Sequence, residues 1–172
     1  NGATFAFDNN GGGTLTNSSL NFVNRNTTYD STGGAQNTIS QVNPASGTPY
    51  FNLGGGTITF NVADGSDAAD LLISAPMTNT AAVTKTGSGV LSLTGVNTFT
   101  GGITVNEGSV SIDGSGKLAN NANNDIVVNN GGTFVFGRSD VFDNHSIALS
   151  PQITINAGGT VTNTAGNFNR LG

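Results

Sequence analysis

The sequence predicts an all-β chain coiled as a β-solenoid, a parallel β-helix of roughly seven rungs at a period near 25 residues. Three observations carry that expectation. Short runs alternate apolar and polar residues, the signature of a strand with one buried face. Each run is followed by Asn, one residue, one or two Gly, then Thr or Ser and a second alternating run. The copies recur at a steady step, 24 residues from Ser109 to Thr133 and 27 from Thr133 to Thr160, which suits one supersecondary unit stacked on the next. Composition agrees. Gly (26), Asn (25), Thr (23), Ser (15) and Asp (9) make up 98 of 172 residues, all mediocre or poor helix formers. Hairpins would fit the local pattern, but they favour two-residue turns and leave each apolar face isolated. Disorder fits less well, because only 9% of residues are charged and Gly and Asn sit at fixed offsets.

Along the chain, a first partial copy lies at Gly12-Gly13-Thr14-Leu15. Residues 17–49 match no copy and read as a lateral insertion or irregular rungs. Phe51-Asn52-Leu53-Gly54-Gly55-Gly56-Thr57-Ile58-Thr59-Phe60 is a second partial copy. An acidic turn, Asp64 to Asp70, precedes a strand at Leu71–Ile73. The clearest copy runs from Ile103 through Val105, Asn106 and Gly108 to Ile112. The next runs from Ile126 through Asn129, Gly131 and Gly132 to Phe136. The last runs from Ile153 through Asn156, Gly158 and Gly159 to Val161. Asn and Gly tolerate positive φ, so each Asn-x-Gly is a corner. Strands stacked at about 4.8 Å would put like residues on like. Phe5, Phe7, Phe22, Phe51, Phe60, Phe99, Phe134, Phe136 and Phe168 are therefore candidates for interior stacks. Asn97, Asn106, Asn129 and Asn156 are candidates for amide ladders.

The stretch 83–112 carries a more specific signal. It reads Lys85-Thr86-Gly87-Ser88-Gly89, then Leu91 and Leu93, then Gly95-Val96-Asn97-Thr98-Phe99-Thr100-Gly101-Gly102, then Val105-Asn106-Glu107-Gly108. It closely resembles the autotransporter-associated β-strand repeat, also called the passenger-associated transport repeat. That repeat has Lys-x-Gly-x-Gly, alternating Leu, Gly-x-Asn-Thr-Tyr-Thr-Gly-Gly and Val-Asn-x-Gly. Phe99 replaces the usual Tyr, and Val90 stands where Thr is common. The resemblance implies a right-handed β-helix in the passenger of a large bacterial surface protein. Such a passenger is exported through an outer-membrane β-barrel and is thought to fold progressively outside the cell. Gly87, Gly89, Gly95, Asn97, Thr98, Phe99, Gly101, Gly102, Asn106 and Gly108 carry the repeat here. Asn129, Gly131, Gly132, Asn156, Gly158 and Gly159 carry its weaker echoes. The start, Asn1-Gly2-Ala3-Thr4-Phe5, parallels Asn130 to Phe134, so residues 1–172 read as one solenoid segment of a longer repeat protein. Its nearest partners would be further rungs of the same chain or neighbouring copies.

Composition narrows the function. A net charge of −5 with five Lys and Arg disfavours a nucleic-acid partner. No apolar run is long enough for a membrane-spanning helix. Without Cys there is no disulfide, thiolate metal site or Cys nucleophile. Arg138, Asp140, Asp143 and His145 are the one place where His, Arg and carboxylates cluster in sequence. General acid–base work needs two carboxylates on one cleft, and a solvated loop explains them as well. Asp64, Asp67 and Asp70 could offer oxygen ligands, but not in an EF-hand order. Residues 120–125 read as a polar loop. No catalytic, cofactor or metal site is expected. The reading is an extracellular structural or adhesive stalk segment at the bacterial surface, with host or matrix ligands as partners. The alternatives are a filament subunit stacked head to tail and, behind it, a carbohydrate-active β-helix enzyme. Tyr29 and Tyr50, both in or beside the unmatched stretch, mark where a ligand would be sought.

Overall fold

The alternating runs fold as strands, and each pairs in parallel with the equivalent strand of the next copy. A computed structural model describes residues 3–7, 14–17, 19–21, 27–41, 50–143 and 151–165. The first large sheet contains β1 (Ala3–Phe7), β4 (Thr27–Ser31), β7 (Thr57–Val62), β10 (Ala82–Thr86), β12 (Ile103–Val105), β15 (Ile126–Val128) and β18 (Ile153–Ile155), in that order. The second contains β2 (Thr14–Asn17), β5 (Asn37–Gln41), β8 (Leu71–Ile73), β11 (Val90–Leu93), β13 (Gly108–Ile112), β16 (Gly132–Phe136) and β19 (Thr160–Asn163). Short strands form a third side: β3 (Ser19–Asn21), β6 (Tyr50–Asn52) and β9 (Met77–Thr78), then β14 (Leu118–Ala119) with β17 (Phe142–Asp143). A single parallel bridge, Val96 to Lys117, links the two short sets. The chain visits the sides in a fixed order, which makes it a parallel β-helix. No helix occurs among the described residues.

Register turns the period-two pattern into columns. On the first sheet Ile58, Val83, Ile103 and Ile126 stack in turn, as do Tyr29, Phe60, Lys85, Val105 and Val128. On the second, Ile39, Ile73, Leu93, Ile112 and Phe136 stack, beside Leu71, Leu91, Val110 and Phe134. All of these side chains are buried. Each buried aliphatic contributes about 1.5–3 kcal/mol by leaving water, and no rung could bury its face without the next. Outward on the first sheet, Thr28, Thr59, Thr84 and Thr104 share one polar column before it reaches Val127.

Aromatic side chains concentrate in two places. Tyr29 stacks on Phe60 at 5.1 Å between ring centroids, and Phe51 meets both edge-on. Phe134, Phe136 and Phe142 form a second edge-to-face group, a geometry that adds to plain burial. Phe99 is buried. The side chains of Phe5 and Phe7, and all of Phe22 and Phe168, lie outside the described residues.

Within 17–49, Thr27–Ser31 and Asn37–Gln41 are strands of the two large sheets. The loop 32–36 stacks on the loop 63–70 of the next rung. Ser66 N donates to Gly34 O (3.0 Å), and Gln36 N donates to Asp67 Oδ2 (2.7 Å). Tyr29 is a core residue, not an exposed ring open to a ligand, because the alternation of β4 turns it inward beneath Phe60.

Candidate functional site

The polar chemistry of the chain gathers at the corners where one strand ends and the next begins. A strand carries its own backbone hydrogen bonds in the ladder. A corner does not, so its carbonyls and amides need other partners. Corner residues must also let one rung lie close upon another.

The corner between β10 and β11 is the most heavily built. Lys85 sits inward on β10, between Phe60 and Val105 in register, and is fully buried. Its Nζ donates to Thr86 O (2.7 Å) and Gly87 O (2.6 Å) in its own turn, and to Glu107 O (3.3 Å) on the next rung. Burial pushes its ammonium down to about 8, against the upward pull of the Glu107 and Asp70 carboxylates. From the other side, Asp70 accepts Gly65 N through Oδ1 and Val90 N through Oδ2, both at 2.7 Å. Between these two groups lies Gly89, where an added Cβ would stand 2.5 Å from Ala63 O and 2.8 Å from Asp70 Oδ2. Gly108 then lies directly over Gly87 and Gly89. Four segments meet there, backbone against backbone.

The later corners follow the same plan with two glycines in separate roles. Gly131 has φ +85°, which turns the chain, and an added Cβ there would meet nothing closer than Asn106 O at 3.8 Å. Gly132 follows, and its added Cβ would collide with Val105 O of the rung below. Gly158 also turns the chain, at φ +82°, but its added Cβ would collide with the Asn130 side chain, and Gly159 lies against Val128 O. Gly95, Gly101 and Gly102 likewise lie against backbone of adjoining rungs.

Two kinds of asparagine serve the corners. Asn129 Nδ2 donates to Asn106 Oδ1 (2.7 Å), and Asn156 Nδ2 donates to Asn129 Oδ1 (2.6 Å), across steps of 23 and 27 residues. This ladder runs along the exterior. Its column continues below as Asp30, Asn61 and Thr86, with Asn61 Nδ2 donating to Asp30 Oδ1 (2.8 Å) and Thr86 Oγ1 to Asn61 Oδ1 (3.3 Å). Asn97 does not join that ladder. It is buried on the third side, where Oδ1 accepts Met77 N (3.0 Å) and Nδ2 donates to Gly95 O (2.8 Å) and Lys117 O (3.1 Å). One amide thus ties three successive rungs. Thr98 beside it faces outward, with its N donating to Met77 O.

Other sequence candidates are spread apart or spent on the fold. Asp67 and Asp70 each hold backbone amides, as above, and no three His, Cys, Asp or Glu converge among the described residues. Arg138 donates through Nε to Ser139 O and through Nη1 to Gly116 O. Asp140 is exposed at φ +55°. The Asp143 side chain and His145 lie outside the described residues. Sequence reasoning passed over Lys85 as a clamp and Asp113, whose two oxygens accept Ser92 Oγ and Ser111 Oγ at 2.8 Å each. It also missed Asn124, which accepts Gly102 N and donates to Ala119 O. Parity would have found Lys85, since it alternates with Val83 on the inward face.

Residues 83–112 match the family model described as passenger-associated-transport-repeat. The match falls on the stretch that builds the Lys85 corner and the Asn97 tie, and the parallel β-helix is the fold expected of an autotransporter passenger. No curated protein and no solved structure matches the chain.

Proposed function

We propose that this chain is a structural or adhesive stalk segment of an autotransporter-like bacterial surface protein, displayed outside the cell and without chemistry of its own. The observation that supports this most is the passenger-associated repeat seated within an unbroken stack of parallel strands. The polar side chains agree with it. Lys85, Asp70, Asn97, Asn124 and Asp113 all bond to neighbouring parts of the coil, so none of them is poised toward a substrate. A stalk needs length and resistance to unfolding, and the stacked ladders supply both.

The test is to fuse the chain between a secretion signal and an outer-membrane β-barrel in a Gram-negative host. Protease added to intact cells should reach the segment, and the segment should resist it more than a reduced-stability variant does. Retention inside the outer membrane would sink the reading. So would steady turnover of a defined polysaccharide by the purified protein.

A further inference from the structure

We propose that Lys85 is a titratable clamp between successive corners: its ammonium ties the 86–89 turn to the carbonyl of Glu107 on the next rung, and loss of one proton releases that tie. Counting donors carries the argument. An ammonium has three N–H donors, and three carbonyl oxygens surround this one. The neutral amine has two. Its two short bonds go to Thr86 O (2.7 Å) and Gly87 O (2.6 Å), within its own turn. The longest, 3.3 Å, crosses to Glu107 O, and that is the bond given up.

The surroundings set when this happens. Phe60 and Val105 flank Lys85 in register on β7 and β12, so its side chain leaves the strand between buried apolar neighbours and its charge is shielded from water. The charged groups acting on it are Glu107, in the turn between β12 and β13, and Asp70, just before β8. Desolvation outweighs both and brings the titration down to about 8. The released contact lies where Gly108 packs over Gly87 and Gly89, so the corner most dependent on close approach loses its inner fastening.

Two consequences have opposite signs. Between about pH 8 and the ordinary lysine value of 10.5, the unfolded chain holds more protons than the folded one, so global stability rises with pH. In the same window the link from Lys85 to Glu107 weakens. Buried Tyr29, pushed well above the usual tyrosine range, reverses the global slope once pH passes its ordinary value of 10.0. Lys85 and Lys117 are the only lysines, so the signal is uncrowded.

The experiment is an NMR titration of the 172-residue protein, following the Lys85 Nζ and Cε and the Glu107 carbonyl carbon. Lys85 should titrate near 8, and the Glu107 carbonyl should move with the same midpoint. Urea unfolding from pH 7 to 10 should show wild-type stability rising relative to Lys85→Met. A Lys85 midpoint at the ordinary value, or a Glu107 carbonyl indifferent to it, overturns the proposal. If Lys85→Met does not fold, the wild-type titration alone decides.

Discussion

Asn97 should be worth more to this coil than any residue of the exposed asparagine ladder, and substitution separates the two. In Asn97→Ala, Gly95 O and Lys117 O keep backbone donors, because Lys117 N and Asn97 N already point at them. Met77 N loses the Asn97 Oδ1 acceptor while Met77 stays fully buried. An orphaned buried donor costs about 1–3 kcal/mol, and the space left by a buried carboxamide adds on the order of 1 kcal/mol. A loss of about 3 kcal/mol corresponds to a melting temperature lower by about 6–12 °C in a chain of this size. Asn97→Asp sharpens the test. It keeps the acceptor for Met77 N but aims a carboxylate at two carbonyls, so at pH 7 it should be worse than alanine. Asn129→Ala removes two side-chain bonds of similar length, but water can replace them, so its cost should stay within about 1 kcal/mol. Urea unfolding with unchanged m reads all three. Equal losses for Asn97→Ala and Asn129→Ala, or an aspartate better tolerated than alanine, would refute the reasoning.

Gly89→Ala and Gly131→Ala should part company under the same urea assay. The first drives a Cβ to 2.5 Å from Ala63 O and should prevent native packing of that corner, whereas the second meets nothing closer than 3.8 Å and pays only for φ +85°, about 1–2 kcal/mol. Phe60→Ala empties the centre of the Tyr29–Phe51 cluster and should cost about 3–5 kcal/mol, with the near-ultraviolet dichroism of Tyr29 collapsing in parallel. Asp113→Ala strips Ser92 and Ser111 of a shared acceptor and should lower stability by about 1–3 kcal/mol, and loss of both serines' hydroxyls in the same background should add little more.

The corners were legible because they rest on local rules. Asn106, Asn129 and Asn156 stand at the same offset from their glycines, and stacking places them in one column. Asn97 shares the residue type but not the offset, and it serves a different side of the coil. Tyr29 was misjudged by residue type, since a phenolic side chain suggests the surface, and Lys85 was read only as part of a motif. Alternation with Val83 and with Thr27 says otherwise. Asp70 and Asp113 were harder. Beside a local partner each, they bond across the coil to Val90 and Ser92, 20 and 21 residues away, and nothing local marks those distances.

The sequence by itself determined that this chain makes short strands with one apolar face, that Gly and Asn turn it, and that the copies stack. Those properties follow from a period of two and from the residues that accept positive φ, both readable one segment at a time. Only the tertiary structure decided which copy meets which residue. Steps between equivalent positions range from 19 residues at Leu91 to Val110 up to 34 at Ile39 to Ile73. Loop length absorbs the difference, so register is settled by inward faces finding burial together across rungs. That collective choice put Lys85 inside and Asn97 at the joint of three rungs.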